Sequence, residues 1–172
     1  MKTVHGLTKG RKVSVMDKEA SEAMIRIWQQ RSVPVIVRRG EGYPVHVKLP
    51  NPMLDPSWLA SARKLLKPTT RSARPVWLQK SMGFEVPKGW FSGLVNRLRD
   101  EFGQVYVVQP YRVQEKCSPS CMNAIHHVCE CSCMGKNHGA GGPGKGWFVV
   151  SEAFATQWGE QQLACRLMIK AS

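Results

Sequence analysis

Between Cys117 and His138 the chain places five cysteines and three histidines in 22 residues, where ordinary usage would supply roughly one of either. The run is Cys117-Ser-Pro-Ser-Cys121, then His126-His127, then Cys129-Glu-Cys131-Ser-Cys133, and finally Gly135-Lys-Asn-His138-Gly139. Thiolates and imidazoles at this density suit zinc, or iron in a cluster, and a structural zinc takes four of them in a tetrahedron. Whatever else the chain forms, this stretch is expected to fold around a metal, with the remainder as its scaffold.

Spacing orders the candidate ligands. Cys117 and Cys121 are four apart, one helical turn, and Pro119 between them favours a turn. Cys129, Cys131 and Cys133 alternate, so an extended backbone would point them to one side but leave them roughly 6.5 to 7 Å apart. They reach one ion only if the chain bends there. Glycines flank His138 and allow the backbone to fold its imidazole back. Cys117, Cys121, Cys129 and Cys133 are the first choice of ligands, with Cys131 and His138 next; Cys131 can also be read as a packed thiol. His126 and His127 are expected as exposed polar residues or phosphate contacts, and Cys165, among apolar neighbours, as core. Zinc is the default cofactor, and an iron-sulfur cluster is the rival because the alternating spacing differs from paired C-x-x-C zinc sites.

The 172 residues and 42% hydrophobic content suit one ordinary domain with a small appended module. Four basic residues precede Val13 without a signal-length apolar run, and no stretch approaches the roughly 20 apolar residues of a membrane span. A cytoplasmic protein with no membrane partner is expected, and in that reducing compartment metal ligation is favoured over disulfides.

The net charge of +13 is concentrated in the first two-thirds. Up to Val113 there are 20 Lys and Arg against 8 Asp and Glu, whereas from Gln114 onward there are 5 against 4. Arg63, Lys64, Lys67, Arg71, Arg74 and Lys80 follow one another with no acid among them, and Trp77 lies within the same stretch. Such a field draws a polyanion, so these residues are the candidate nucleic-acid contacts, with Trp77 as a base-stacking platform. Solubility is the plainer reading of the same charge.

The fold class is α+β: β-hairpin plus helix units with an inserted Cys/His-rich metal-binding module. Helical periodicity from Asp17 to Arg31, through Ala20, Ala23, Met24, Ile27 and Trp28, predicts a first helix with Asp17 as N-cap. Val33–Val37 and Tyr43–Leu49 predict a hairpin, and Asp55-Pro56 opens a helix with Trp58, Leu59, Ala62, Leu65 and Leu66 on one face. The pattern recurs as strands at Val76–Leu78 and Gly83–Val86, then a helix from Pro87 through Phe91, Leu94, Val95, Leu98 and Phe102 that stops at Gly103. A degenerate duplication and a coincidence are both open readings. A buried strand is predicted at Val105–Val108, another at Trp147–Val150, a short helix over Ala153–Trp158 and a final apolar stretch at Leu163–Ile169. The expected division is a basic α+β domain over 1–113, a metal-binding module over 114–145, and a return to the main domain over 146–172.

The spacing Cys117-x3-Cys121-x7-Cys129-x-Cys131-x-Cys133-x4-His138-Gly139, preceded by Gln109-Pro110-Tyr111-Arg112, resembles a motif of uncharacterised phage and prophage proteins. The resemblance spans roughly Val86 to Ile169, and implies an origin in mobile DNA and no particular activity. The expected function is therefore a metal-binding nucleic-acid-binding or regulatory factor. The alternatives are an iron-sulfur protein, a metal-dependent nuclease or a phage inhibitor of a host protein. His138 beside Asn137 faintly resembles the His-Cys homing endonucleases, but no strand-turn-helix placement of that pair is evident, and Walker, G-x-S-x-G and dinucleotide signatures are missing.

Overall fold

Short runs of valine and isoleucine punctuated by Gly and Pro favour strands, and among the described residues seven of them form one mixed sheet. The computed structural model describes residues 21–51, 55–68, 73–139, 148–158 and 160–171. Strands β1 (Val35–Arg38) and β2 (Val45–Lys48) form the first hairpin, and β3 (Val76–Leu78) and β4 (Gly83–Val86) the second. β2 pairs with β4, so both hairpins share one antiparallel half-sheet. β5 (Gln104–Pro110) adds parallel to β1, and the long hairpin of β6 (Phe148–Trp158) and β7 (Gln161–Lys170) adds through β7 to β5. The order across the sheet is β3-β4-β2-β1-β5-β7-β6.

Two layers of helix cover this sheet. On one face α1 (Glu22–Gln29) lays Met24 and Trp28 over Val35, Val37, Val108, Leu163 and Cys165. Cys165 is fully buried there, as its apolar neighbours imply. On the other face α2 (Pro56–Leu66) and α3 (Phe91–Phe102) pack Leu66, Trp90, Phe91, Leu94 and Leu98 against Ile36, Val47, Phe84, Val105, Val107 and Met168. Alternation along the strands makes this two-sided burial possible: Val105 and Val107 face one layer while Val108 faces the other. Asp55 caps α2 by accepting from the Trp58 N–H at 2.9 Å, and Gly103 ends α3 with φ +76, a conformation a Cβ disfavours.

Three local expectations change. The first helix is capped by Ser21, which accepts from Met24 N–H, and Asp17 and Ala20 lie outside the described residues. Ser21 also donates its N–H to Gln157 O at 2.9 Å, which ties the cap to β6. A single 3-10 turn, Lys88–Trp90, precedes α3, because Pro87 is held extended with ψ 140. Ala153–Trp158 is strand, not helix: the ladder from Ala153↔Arg166 to Trp158↔Gln161 overrides the helix preference of its alanines. Phe154 thereby joins the core beneath α1.

Candidate metal centre

β5 runs out of the sheet at Pro110 and delivers the chain into the cysteine segment on the face that α3 covers. Arg112 N–H donates to Glu130 O at 2.6 Å and Ser132 N–H to Glu115 O at 2.8 Å, so the segment's entry and its middle are laced together. A single helical turn, α4 (Pro119–Met122), is capped by Ser118, whose Oγ accepts from the Cys121 N–H at 3.3 Å. This turn brings Cys121 back beside Cys117. Beyond Cys131 the chain coils through successive turns, with Met134 and Gly135 at φ +49 and +87, and Gly139 N–H closes the loop onto Cys121 O at 3.0 Å.

These turns converge all six candidate donors. Cys117, Cys121, Cys131 and Cys133 place their sulfurs within 4.8 Å of one another, as do Cys121, Cys129 and His138 their donor atoms. The Sγ–Sγ separations are 3.1 Å for Cys131–Cys133, 3.5 Å for Cys121–Cys131 and Cys129–Cys131, 3.8 Å for Cys121–Cys129 and 3.9 Å for Cys129–Cys133. A tetrahedral ion with Zn–S bonds of about 2.3 Å sets its ligand sulfurs about 3.8 Å apart. The cluster can therefore hold a metal ion. Cys131 faces the other donors and is not a thiol packed elsewhere. The alternating cysteines reach one another because the backbone bends where an extended strand would have kept them apart.

His138 is oriented as metal-binding histidines are. Its Nε2 donates to the His126 carbonyl at 2.5 Å, which leaves the Nδ1 lone pair directed at the cluster, 3.2 Å from Cys121 Sγ. Burial lowers its pKa, against the hydrogen bond to the His126 carbonyl, which raises it, and the nearby Arg166 charge acts in the same direction as burial. Burial pushes the thiols of Cys117, Cys121 and Cys129 up, Cys129 to about 12. Burial also acts upward on Cys133, but hydrogen bonds from Cys131 and from the backbone at Asn137 and Gly135 outweigh it and bring that thiol down to about 7. A bound divalent cation removes the penalty on the others by deprotonating its thiol ligands.

The scaffold grips this segment at one point above all, the backbone at His127. Its carbonyl accepts from Gln109 Nε2 on β5 at 3.0 Å and from Arg166 Nη2 on β7 at 2.8 Å, and Gln109 Oε1 accepts from the Cys129 N–H at 3.3 Å. On α3, Ser92 Oγ accepts from the His127 N–H at 3.1 Å, and Asn96 Oδ1 lies 2.7 Å from His127 Nε2. His127 is thus fully buried, contrary to the expected exposed position. Burial first, then the Arg166 and Arg99 charges, bring its pKa down to about 3. His126, by contrast, is exposed. At the outer edge Glu130 pairs with Arg38 of β1 at 2.9 Å.

Arg166 is the charged floor of the site. It is 1% exposed, and Nε and Nη1 have no hydrogen-bond partner among the described residues. Burial lowers its pKa, and the strongest opposing influences are the thiolates of Cys129 and Cys133. A guanidinium so placed needs an anion, and thiolates bound to a metal supply one. No family model matches the chain, and no curated protein or solved structure matches it significantly. The geometry alone therefore carries the functional reading.

The signal for Arg166 was present in the sequence, as a lone cation in the apolar run Leu163–Ile169. Gly135 carried a signal too. A Cβ there would stand 2.7 Å from Cδ and Cζ of Arg166 and closer still to Nη1, and its φ is +87. Gly135→Ala is expected to cost about 2–4 kcal/mol through this overlap and the backbone strain together, measured as a shift in urea midpoint; an unchanged midpoint would show that Arg166 can move aside freely.

The basic candidates lie elsewhere. Arg63 and Lys64 are exposed on α2, Lys67 is half-buried at its C-terminus, Arg74 and Lys80 are exposed around β3, and Arg71 lies outside the described residues. Trp77 is half-buried, with its ring in edge contact with Trp58 at 5.7 Å and Phe84 at 4.9 Å. The described ones occupy the β3 end of the sheet, whereas the cysteine cluster sits over β5 and β7. Among the described residues, no helix is long and apolar enough to cross a membrane.

Proposed function

We propose that the protein is a zinc-stabilised nucleic-acid-binding factor in which the metal fixes residues 117–139 onto the sheet and the α2 and β3–β4 region contacts phosphate. The observation that carries the metal part is the convergence, above a buried arginine, of four sulfurs and one imidazole linked by separations of 3.1–3.9 Å, with the Cys117 sulfur within 4.8 Å of three of them. Zinc is preferred to an iron-sulfur cluster because the separations match ligands sharing one ion. Thiolates of a cluster bind different irons of an inorganic core and stand further apart. A structural role is preferred to catalysis because four thiolates fill a tetrahedron without an open position. The two groups that would serve as general base are engaged, His127 against Asn96 and Glu130 against Arg38. Phage or mobile-element origin rests on the motif resemblance.

The nucleic-acid part rests on charge and is tested by its salt dependence. Binding to unrelated oligonucleotides, followed by fluorescence anisotropy, is expected to weaken steeply with salt. The double variant Arg63→Glu, Lys64→Glu is expected to flatten the log–log slope by about two, one for each lost phosphate contact. No binding at low salt would remove this part. A second reading, docking to a protein partner, is favoured by the exposure of Met122, Ile125 and Val128 between the second and third cysteines of the metal segment. Copurification of one protein that survives nuclease treatment would support it.

A further inference from the structure

The six donors exceed what one ion can use, and their arrangement is not that of a single tetrahedron with spare parts. We propose that the segment holds two metal ions, bridged by the Cys121 thiolate. This rests on the zinc reading above and adds a second site to it. The first ion belongs to Cys117, Cys121, Cys131 and Cys133, and the second to Cys121, Cys129 and His138; Cys121 is the member common to both sets. Cys131 completes the second site as a further shared ligand, because its sulfur lies 3.5 Å from both Cys121 and Cys129. Two four-coordinate ions have eight positions, and six donors fill them when two thiolates are each counted twice.

Burial argues for the same arrangement. With one ion in the first set, the Cys129 thiol and the His138 imidazole would be left 4% and 5% exposed beside it with no metal to ligate. Yet His138 has its proton committed to the His126 carbonyl and its free Nδ1 turned to Cys121, 3.2 Å away. Such an orientation is required of a ligand and not of a packed side chain.

Charge closes the argument. Five thiolates and a neutral imidazole around two divalent ions carry one net negative charge, and Arg166 beneath them supplies one buried positive charge to cancel it. One ion in the first set, with Cys129 left as a neutral thiol, would carry two net negative charges over a single guanidinium, an imbalance that a partly buried site screens poorly.

The test is metal counting by native mass spectrometry on reduced protein purified without oxygen from zinc-supplemented culture. It is joined by one-dimensional NMR of the 113Cd-exchanged protein. Two zinc per chain, and two cadmium resonances split by mutual coupling through a shared sulfur, are expected. One zinc per chain, or two cadmium resonances without coupling, overturns the bridged pair while leaving a structural zinc in place. No zinc, or iron with sulfide, overturns the zinc reading as well.

Discussion

Stripping bound metal from the reduced protein with a strong chelator is expected to release the whole segment from Cys117 to Gly139 from the sheet. Apart from the metal, the polar groups that hold the segment among the described residues are the Gln109 bonds to His127 and Cys129, the Arg166 bond to His127, the Ser92 and Asn96 contacts, the Glu130–Arg38 pair and the two backbone bonds to Arg112 and Glu115. Hydrogen bonds of this kind contribute about 1 kcal/mol each net, whereas a structural zinc site contributes on the order of 10 kcal/mol. Hydrogen exchange reads the outcome residue by residue. In the chelated protein the amides of His127, Cys129 and Gly139 should exchange as in an unfolded chain, while those of β1, β2 and β4, which lie on the far side of β5, should keep most of their protection. If His127 and Cys129 remain protected without metal, the scaffold alone holds the segment and the metal has no structural role.

Replacing Arg166 by methionine is expected to lower the stability of the metal-loaded protein by about 3–5 kcal/mol, the usual consequence of leaving one member of a buried charge pair unpaired. Methionine fills most of the volume, so the effect reports charge more than packing. The sign is the informative part. Were the thiols protonated and metal-free in the native protein, Arg166 would be an uncompensated buried cation, and its removal would stabilise the fold. Chemical denaturation of the variant beside the parent, each with and without metal, separates the two: destabilisation in the loaded form with a smaller or reversed effect in the stripped form is expected. Stabilisation in both forms would mean that no anionic centre sits over Arg166.

Much of the scaffold could be read directly from local pattern. The two hairpins, the Asp55-Pro56 helix start and the Gly103 stop all depend on neighbours within a few residues, and the structure has each of them. Ala153–Trp158 could not be read this way. Its alanines favour helix, and only a ten-residue partner strand, β7, makes extension the better choice. His127 was misread for a related reason. A histidine between ligand pairs has an exposed loop as its natural setting, and only the approach of Asn96 from α3, 31 positions away, buries it. The surroundings of Trp77 were likewise tertiary: Trp58 and Phe84 meet its ring from α2 and β4 and leave it half-buried.

The sequence by itself determined the donor inventory, because thiolate and imidazole chemistry is a property of residue type, and the density between Cys117 and His138 is visible without a fold. It also determined that the chain is basic, and where. Which donors face one another was decided only in three dimensions, because ligand geometry depends on backbone turns at Cys131–Gly139 and on the sheet beneath them. Sequence spacing put Cys129 with Cys117, Cys121 and Cys133; in the fold Cys131 stands with those three, and Cys129 with Cys121 and His138. The place of Arg166 was likewise tertiary: a buried cation and a cluster of thiol donors lie far apart in sequence, and the fold brings them together so that metal-bound thiolates and the guanidinium would offset one another.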